Sequence, residues 1–202
     1  MPTPAGAYYA VTSARPNPAR RLLYALMGRQ HSRRAEAALL PRWSGSSDEQ
    51  EALELLYRMQ DLGWVQGETE AREAPDGILE EILPSLLRVL SGDGKALLAD
   101  QQGFHLAGTG FAHEAAEELS ALSADLSSLH LRHEGLLQNN LGISTTAWAM
   151  VDAAGNSQLG CWPLHIGEQC FSLVLSGLPQ FNQQAFTDMV WLLSKRYAPS
   201  EA

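Results

Sequence analysis

Apolar residues between Lys95 and Asp152 recur with two different periods. The runs KALLAD and FHLAGTG are separated by Gln101–Gly103, the pattern of two short strands joined by a turn. Beyond Phe111, Ala115, Leu119, Leu122, Leu126, Leu129, His133 and Leu136 follow at alternating steps of four and three. That spacing predicts one continuous stripe on a helix of roughly seven turns. STTAWAMVDAAGNSQLGCWPLHI then reads as two strands joined at Ala154–Asn156, and CFSLVLSG as a third, apolar enough to lie centrally in a sheet. A last helix is predicted in FNQQAFTDMVWLLSKRYA, capped by Asn182 and burying Phe186, Met189, Val190, Leu193 and Tyr197. Lys195 and Arg196 fall in its final turn, where cations suit the helix dipole. Upstream, PDGILEEILPSLLRVLSGDG predicts a helix capped by Asp76, in which Pro84 marks a kink or a fresh start. From Asp76 the expected order is α-β-β-α-β-β-β-α.

The first part of the chain reads differently. Residues 1–16 are rich in proline and small residues and are expected to be an unordered leader without the charged-then-apolar pattern of a secretory signal. Residues 17–75 predict a small helical domain. Asn17 and Pro18 suit the cap and first position of a helix with Leu22, Leu23, Leu26 and Met27 inside. A second helix is expected from Ser32 to about Pro41. A third has Ser47 as cap with Gln50 three residues on, Leu53, Leu56, Tyr57 and Gln60 as its face, and Gly63 at its end. WVQGETEARE follows as a short strand and turn. Three helices and a strand resemble a winged helix at the level of pattern. The remainder, 76–202, is the second expected domain.

Composition and charge narrow the function. At 202 residues and 45% hydrophobic content the chain holds enough apolar surface for real cores. No run approaches the roughly 18 apolar residues of a membrane span. Cys161 and Cys170 are too few for a disulfide framework and read as buried thiols, so a cytoplasmic protein is expected. The net charge of −9 is unevenly spread: Met1 to Ser47 has seven arginines against Glu36, whereas Asp48 to Asp93 has twelve acids against Arg58, Arg72 and Arg88. Such a split suggests segments that contact each other or face different partners.

Candidate chemistry is thin. His113-Glu114-Ala115-Ala116-Glu117 begins like a zinc-protease helix, but the second histidine that chemistry needs is replaced by Glu117, leaving an acidic first turn that suits the helix dipole. His130 and His133 are three apart without a further ligand at metal spacing, and His133 lies on the apolar stripe, which favours a core or interface role. Gly108-Thr109-Gly110 and Ser91-Gly92-Asp93-Gly94-Lys95 lack the full spacing of phosphate loops and read as turns. No metal or cofactor is expected. Arg29, Arg33 and Arg34 around the second helix are the candidate contacts for an anion or nucleic acid. Against a DNA role, the helix in the recognition position carries Asp48, Glu49, Glu51 and Glu54, so a protein-interaction role is favoured.

SLLRVLSGDGKALLADQQGFHLAGTGF, the Ala/Leu-rich helix after it and the AWAMVDAAG strand together resemble the Roadblock family of dynein-associated light chains and their bacterial relatives, related to longin domains. The recurring text is a helix (Leu86 to Leu90), an apolar strand ending in an acid (Ala96 to Asp100), a turn with Gly103 and a second strand (Phe104 to Ala107). The resemblance covers about Asp76 to Tyr197. It implies an α+β fold: a five-stranded antiparallel sheet with the long helix on one face and two helices on the other. It also implies a bacterial-type, non-catalytic scaffold or regulator that homodimerises and binds a small Ras-like GTPase or similar protein. The implied interface is the edge strand Ser144 to Val151 together with the long helix, naming Leu119, Leu122, Leu126, Leu129, His133, Leu136, Thr145, Ala147 and Ala149. A bare strand edge with only Asp152 for charge needs a cover, which points the same way. The alternatives are a strand internal to the sheet with the long-helix stripe merely covering that sheet, a transcriptional regulator using Asn17 to Glu70, and an enzyme, disfavoured because no catalytic set converges.

Overall fold

Each strand and helix expected from Asp76 onward is present in the computed structural model, which describes residues 1–28 and 30–198. The chain divides into two compact units. The first comprises Met1–Gly77, Ile166–Glu168 and the stretch from Phe181; the second comprises Ile78–His165 and Gln169–Gln180.

In the first unit, the expected unordered leader is instead a helix, α1 (Pro4–Val11). Thr3 caps it by accepting from the Gly6 N–H at 3.2 Å, Pro4 takes the first helical position, and Ala7, Ala10 and Val11 are buried. Small residues permit a close approach: a Cβ on Gly6 would fall 2.1 Å from the Trp64 carbonyl oxygen. The Tyr9 ring stacks on Trp64 with centroids 3.9 Å apart, and the Arg20 guanidinium lies 4.5 Å from the Tyr9 centroid. Helix α2 (Pro18–Met27) starts as expected, Asn17 accepting from the Arg20 N–H at 2.8 Å. The expected helix at Ser32 does not form. Ser32 instead donates its N–H to the Arg72 carbonyl at 2.8 Å, and its hydroxyl accepts from the Arg72 N–H at 2.9 Å. Helix α3 (Leu40–Ser44) begins where the sequence reading ended one, because Pro41 sits in a first turn whose N–H groups are unpaired in any case.

The next helix, α4 (Glu49–Asp61), is capped by Asp48, one residue later than expected. Asp48 accepts from the Glu51 N–H at 2.8 Å, and Glu51 reaches back to the Ser47 N–H at 2.8 Å, a reciprocal cap shifted by one position. It buries Ala52 and Met59 with Leu55 and Leu56 beside them, whereas Leu53 and Tyr57 are exposed. Among the described residues of Met1–Gly77, strand pairing is limited to the isolated bridges Pro2↔Val65 and His31↔Glu73, so the wing of a winged helix has no hairpin to form it. Helix α7 (Gln184–Tyr197) packs against α1 and belongs to this unit. Its cap position is Gln183, without a side-chain bond, and not Asn182. Trp191 Nε1 donates to the Gly28 carbonyl at 3.1 Å, and Arg72 pairs with Asp188 at 3.1 Å. Lys195 donates to Asp76 at 2.9 Å and also to Gln30, so Asp76 is an ion-pair partner and no helix cap.

The second unit holds α5 (Leu79–Arg88), β1 (Ala96–Ala99), β2 (His105–Thr109), α6 (His113–Glu134), β3 (Trp148–Val151), β4 (Ser157–Ile166) and β5 (Gln169–Ser176), with Ile166 at the end of β4 counting with the first unit. The strands form one antiparallel sheet in the order β2-β1-β5-β4-β3. The apolar run CFSLVLSG is central, as expected. All four residues of β1 are buried, so both sheet faces are covered there. Leu97 and Ala99 join Ala116, Cys161 and Val174 in the core under α6, and alternation sends Ala96 and Leu98 to the other face, where α5 packs against β1 and β2. Helix α5 runs through Pro84 without a fresh start, the proline ring being half-buried and the carbonyl it leaves unpaired belonging to exposed Glu80. The turn between β1 and β2 is built on Asp100, which accepts from the N–H groups of Gln102 and Phe104 at 2.9 Å each. Gly103 in that turn has φ +86°, and a Cβ there would lie 3.0 Å from Ala121 Cα of α6.

Two substitutions test these local assignments. Gly103→Ala is expected to lower stability by more than about 1 kcal/mol, since both its backbone conformation and the contact with α6 exclude a side chain. Asn17→Ala removes the α2 cap and is expected to cost about 1 kcal/mol. Urea denaturation of the full chain reads both.

Candidate interaction surface

Serine and alanine, more than leucine, face the sheet from α6. Ala116, Ser120, Ser123 and His130 are its buried positions, flanked by half-buried Leu119 and Leu126. The serines are satisfied within the helix: Ser120 Oγ donates to the Ala116 carbonyl and Ser123 Oγ to the Ser120 carbonyl, each at 2.7 Å. Short side chains let the helix lie close on β1, β2 and β5. The expected leucine stripe therefore divides. Leu119 and Leu126 join the core under the helix, while Leu122, Leu129 and Leu136, spaced by sevens along one flank, stay exposed together with His133. The helix continues into a π-helical turn over Gly135–Asn140.

The sheet ends on its outermost strand, β3. β3 pairs with β4 alone, matching Trp148 to Cys161, Ala149 to Gly160 and Met150 to Leu159, with a bulge before Val151. Trp148 and Met150 share the α6 face of the sheet with their partners Cys161 and Leu159, and Ala149 points the other way. Met150 is 61% and Val151 58% exposed. Of the expected interface residues, Ala149 is exposed in this strand, while exposed Thr145 and half-buried Ala147 precede it in non-strand backbone. The strand is shorter than Ser144 to Val151 because the Thr145 hydroxyl accepts from the Ala147 N–H at 3.3 Å, a local turn that competes with a ladder. Trp148, Met150 and Val151 lie within the expected edge Ser144 to Val151 without being named singly, and exposed Leu141 and Ile143 lie outside it, although no charged residue occurs from Gly135 to Val151. Asp152 closes the edge. It accepts from the N–H groups of Ala154 at 2.8 Å and Asn156 at 2.9 Å, and the Asn156 bonds hold its carboxyl below the usual carboxylate range.

Solved structures that resemble this chain include the following three. A Roadblock/LC7 domain from Streptomyces avermitilis is 14% identical over 58% of this chain and 95% of its own, with a TM-score of 0.41. Myxococcus xanthus MglB is 12% identical over 58% of this chain and 92% of its own, at 0.39. A structure described as MglB with tetrameric arrangement is 19% identical over 62% of this chain and 93% of its own, at 0.40. The chain is similar to Roadblock/LC7 and MglB structures over about three-fifths of its length. No family model and no curated protein matches it. Similarity at this level adds nothing to the sheet order and open edge described above.

The remaining candidates separate from this surface. Arg29 lies outside the described residues. The Arg33 guanidinium stands 5.6 Å from the Trp43 ring centroid. Arg33 and Arg34 line an open groove of about 610 Å³ in the first unit that Glu68 and Glu70 also line, so its charge is mixed and no basic track for phosphates results. His113 and Glu117 are 3.4 Å apart and both exposed, one turn apart on α6. Among the described residues no group of three or more His, Cys, Asp or Glu side chains is placed to hold a metal ion. Nor, among them, is any helix long and apolar enough to cross a membrane. Ser91 and Ser176 each donate to Asp93 at 2.7 Å, which ties the start of β1 to the end of β5. Those bonds, Ser176 first, hold the exposed Asp93 carboxyl low.

Both cysteines are free, and burial pushes the Cys161 thiol up to about 11 and raises Cys170 as well. At neutral pH Cys161 is therefore a thiol and a poor nucleophile. The expected outcome is that alkylation of Cys161 by iodoacetamide is slow in the folded protein, accelerates on unfolding in urea, and is followed by mass spectrometry.

Proposed function

We propose that this chain is a non-catalytic scaffold or regulator that pairs with a second copy of itself and docks a small Ras-like GTPase or a similar protein. The observation that carries the pairing is the β3 edge. It offers unpaired backbone groups beside exposed Met150 and Val151, in a stretch without charge. A second copy about a two-fold axis would extend the sheet and cover both edges at once. The flank of α6 with Leu122, Leu129 and Leu136 adds exposed apolar area in the same unit. The two surfaces are contiguous in sequence through the π-helical turn and exposed Leu141 and Ile143. The GTPase comes from the family resemblance alone, and the protein acts in this reading by presenting surfaces.

Light scattering across a concentration series tests the pairing, with dimer mass expected. Met150→Lys and Leu129→Lys each place a charge in the proposed interface and are expected to weaken the dimer at least about tenfold while the circular dichroism spectrum is kept. A monomer at all concentrations overturns the reading. For the partner, co-purification is expected to bring down a small GTPase with bound nucleotide.

A further inference from the structure

Trp148 opens β3, and its indole N–H can only donate. Its Nε1 lies 3.3 Å from Nδ1 of His130, the ring centroids being 6.3 Å apart and the planes 82° from parallel. This bond fixes the imidazole: Nδ1 presents a lone pair, and the single proton of the neutral ring sits on Nε2. His130 is only 6% exposed, and Nε2 is buried without a partner. A second proton, at Nδ1, would set one N–H against another.

The surroundings offer that cation no counter-charge from the sheet. No strand contains Asp or Glu; their titratable residues are His105 in β2, Cys161 and His165 in β4 and Cys170 in β5. Cys161 is the one opposite Trp148 in the ladder, and its thiol is held protonated by burial. The π-helical turn and the segment leading to β3 carry no charge. On α6, Asp125 and His133 are exposed, Arg132 is exposed and of the same sign, and Glu134, one turn beyond His130, accepts from Gln138 Nε2 at 3.0 Å.

From this geometry we propose that His130 and Trp148 form a proton-released latch on the pairing edge. Neutral His130 holds Trp148, and with it the start of β3, in the register that a second copy can pair with. Uptake of one proton at Nδ1 breaks the bond to the indole, frees Trp148, and withdraws the edge from pairing. The latch rests on the dimer proposed above and assigns that same surface its regulation.

Sedimentation equilibrium of the full chain at about pH 7.5 and about pH 5.5 is the test, and the wild-type dimer dissociation constant is expected to rise about tenfold on acidification. His130→Gln keeps an acceptor for the indole but does not titrate in this range, so its dissociation constant is expected to be equal at the two pH values. Parallel weakening of wild type and His130→Gln on acidification overturns the latch, and so does a wild-type constant that does not move. If His130→Gln fails to fold, Trp148→Phe removes the donor and is expected to flatten the pH dependence; a dependence as steep as wild type's overturns the latch. A protein that stays monomeric at both pH values sinks the dimer and leaves the latch readable by hydrogen exchange. In that case acid is expected to speed exchange of the Trp148–Val151 amides in wild type but not in His130→Gln, and unchanged exchange rejects the latch.

Discussion

A β-strand has backbone donors and acceptors on both sides, and β3 has a neighbour on only one of them. That constraint organises the second unit. The other edge strand, β2, has α5 packed against it and the tight Asp100 turn at one end. β3 carries no charge, and a bulge before Val151 and the Asp152 turn bound it. A bulge twists an edge and limits how far pairing can run, one way proteins restrain indiscriminate strand addition. The combination of an open edge with a short pairable run suits one specific partner better than open-ended assembly.

How much of this was legible in the sequence depends on which physical signal an element carries. The strands of the sheet were readable because their apolar runs are bounded by residues with one structural meaning: Asp100 and Gly103 at one turn, Asp152 and Gly155 at another, with positive φ at both glycines. The central place of β5 followed from its unbroken apolar run. The phase of α6 did not, because the whole leucine stripe is expected at the interface, whereas Leu119 and Leu126 join the core under the helix. Here the sheet-facing positions are alanine and serine, whose small size allows close approach and whose hydroxyls bond back to the helix carbonyls. Leucine spacing located the helix and, on Leu122, Leu129 and Leu136, its exposed flank.

The first unit was less legible for related reasons. Caps with a short polar side chain are local, so Asn17 was read correctly and the Asp48 cap missed by a single residue. Helix α1 has almost no amphipathic contrast, since Ala, Gly and Tyr make its packing through size and ring stacking. Ser32 looked like a cap but is committed to Arg72, forty residues away in sequence, a pairing that no local pattern announces. Pro41 illustrates the two-sided meaning of proline, which closes a helix in one context and opens it in another. The mixed charge of the groove bearing Arg33 and Arg34 was equally invisible, because Glu68 and Glu70 come to it only through folding.

The buried histidine joins the two halves of the proposed interaction surface. His130 stands on the helix whose flank carries the exposed leucines, and Trp148 begins the strand whose edge is open. Between them the chain makes a π-helical turn, a geometry with one more residue per hydrogen-bonded ring than the α-helix it interrupts. Such a turn shifts the register of everything after it, and the His130–Trp148 bond ties the helix to the start of the strand that the β4 ladder also holds. A histidine–tryptophan bond does this with one donor and one acceptor, in an environment where an unpaired polar atom is costly. An aliphatic pair of the same size would fill the space without fixing the direction of the indole. The polar pair accepts an unpartnered Nε2 in exchange for direction, the property that the proposed pairing edge requires.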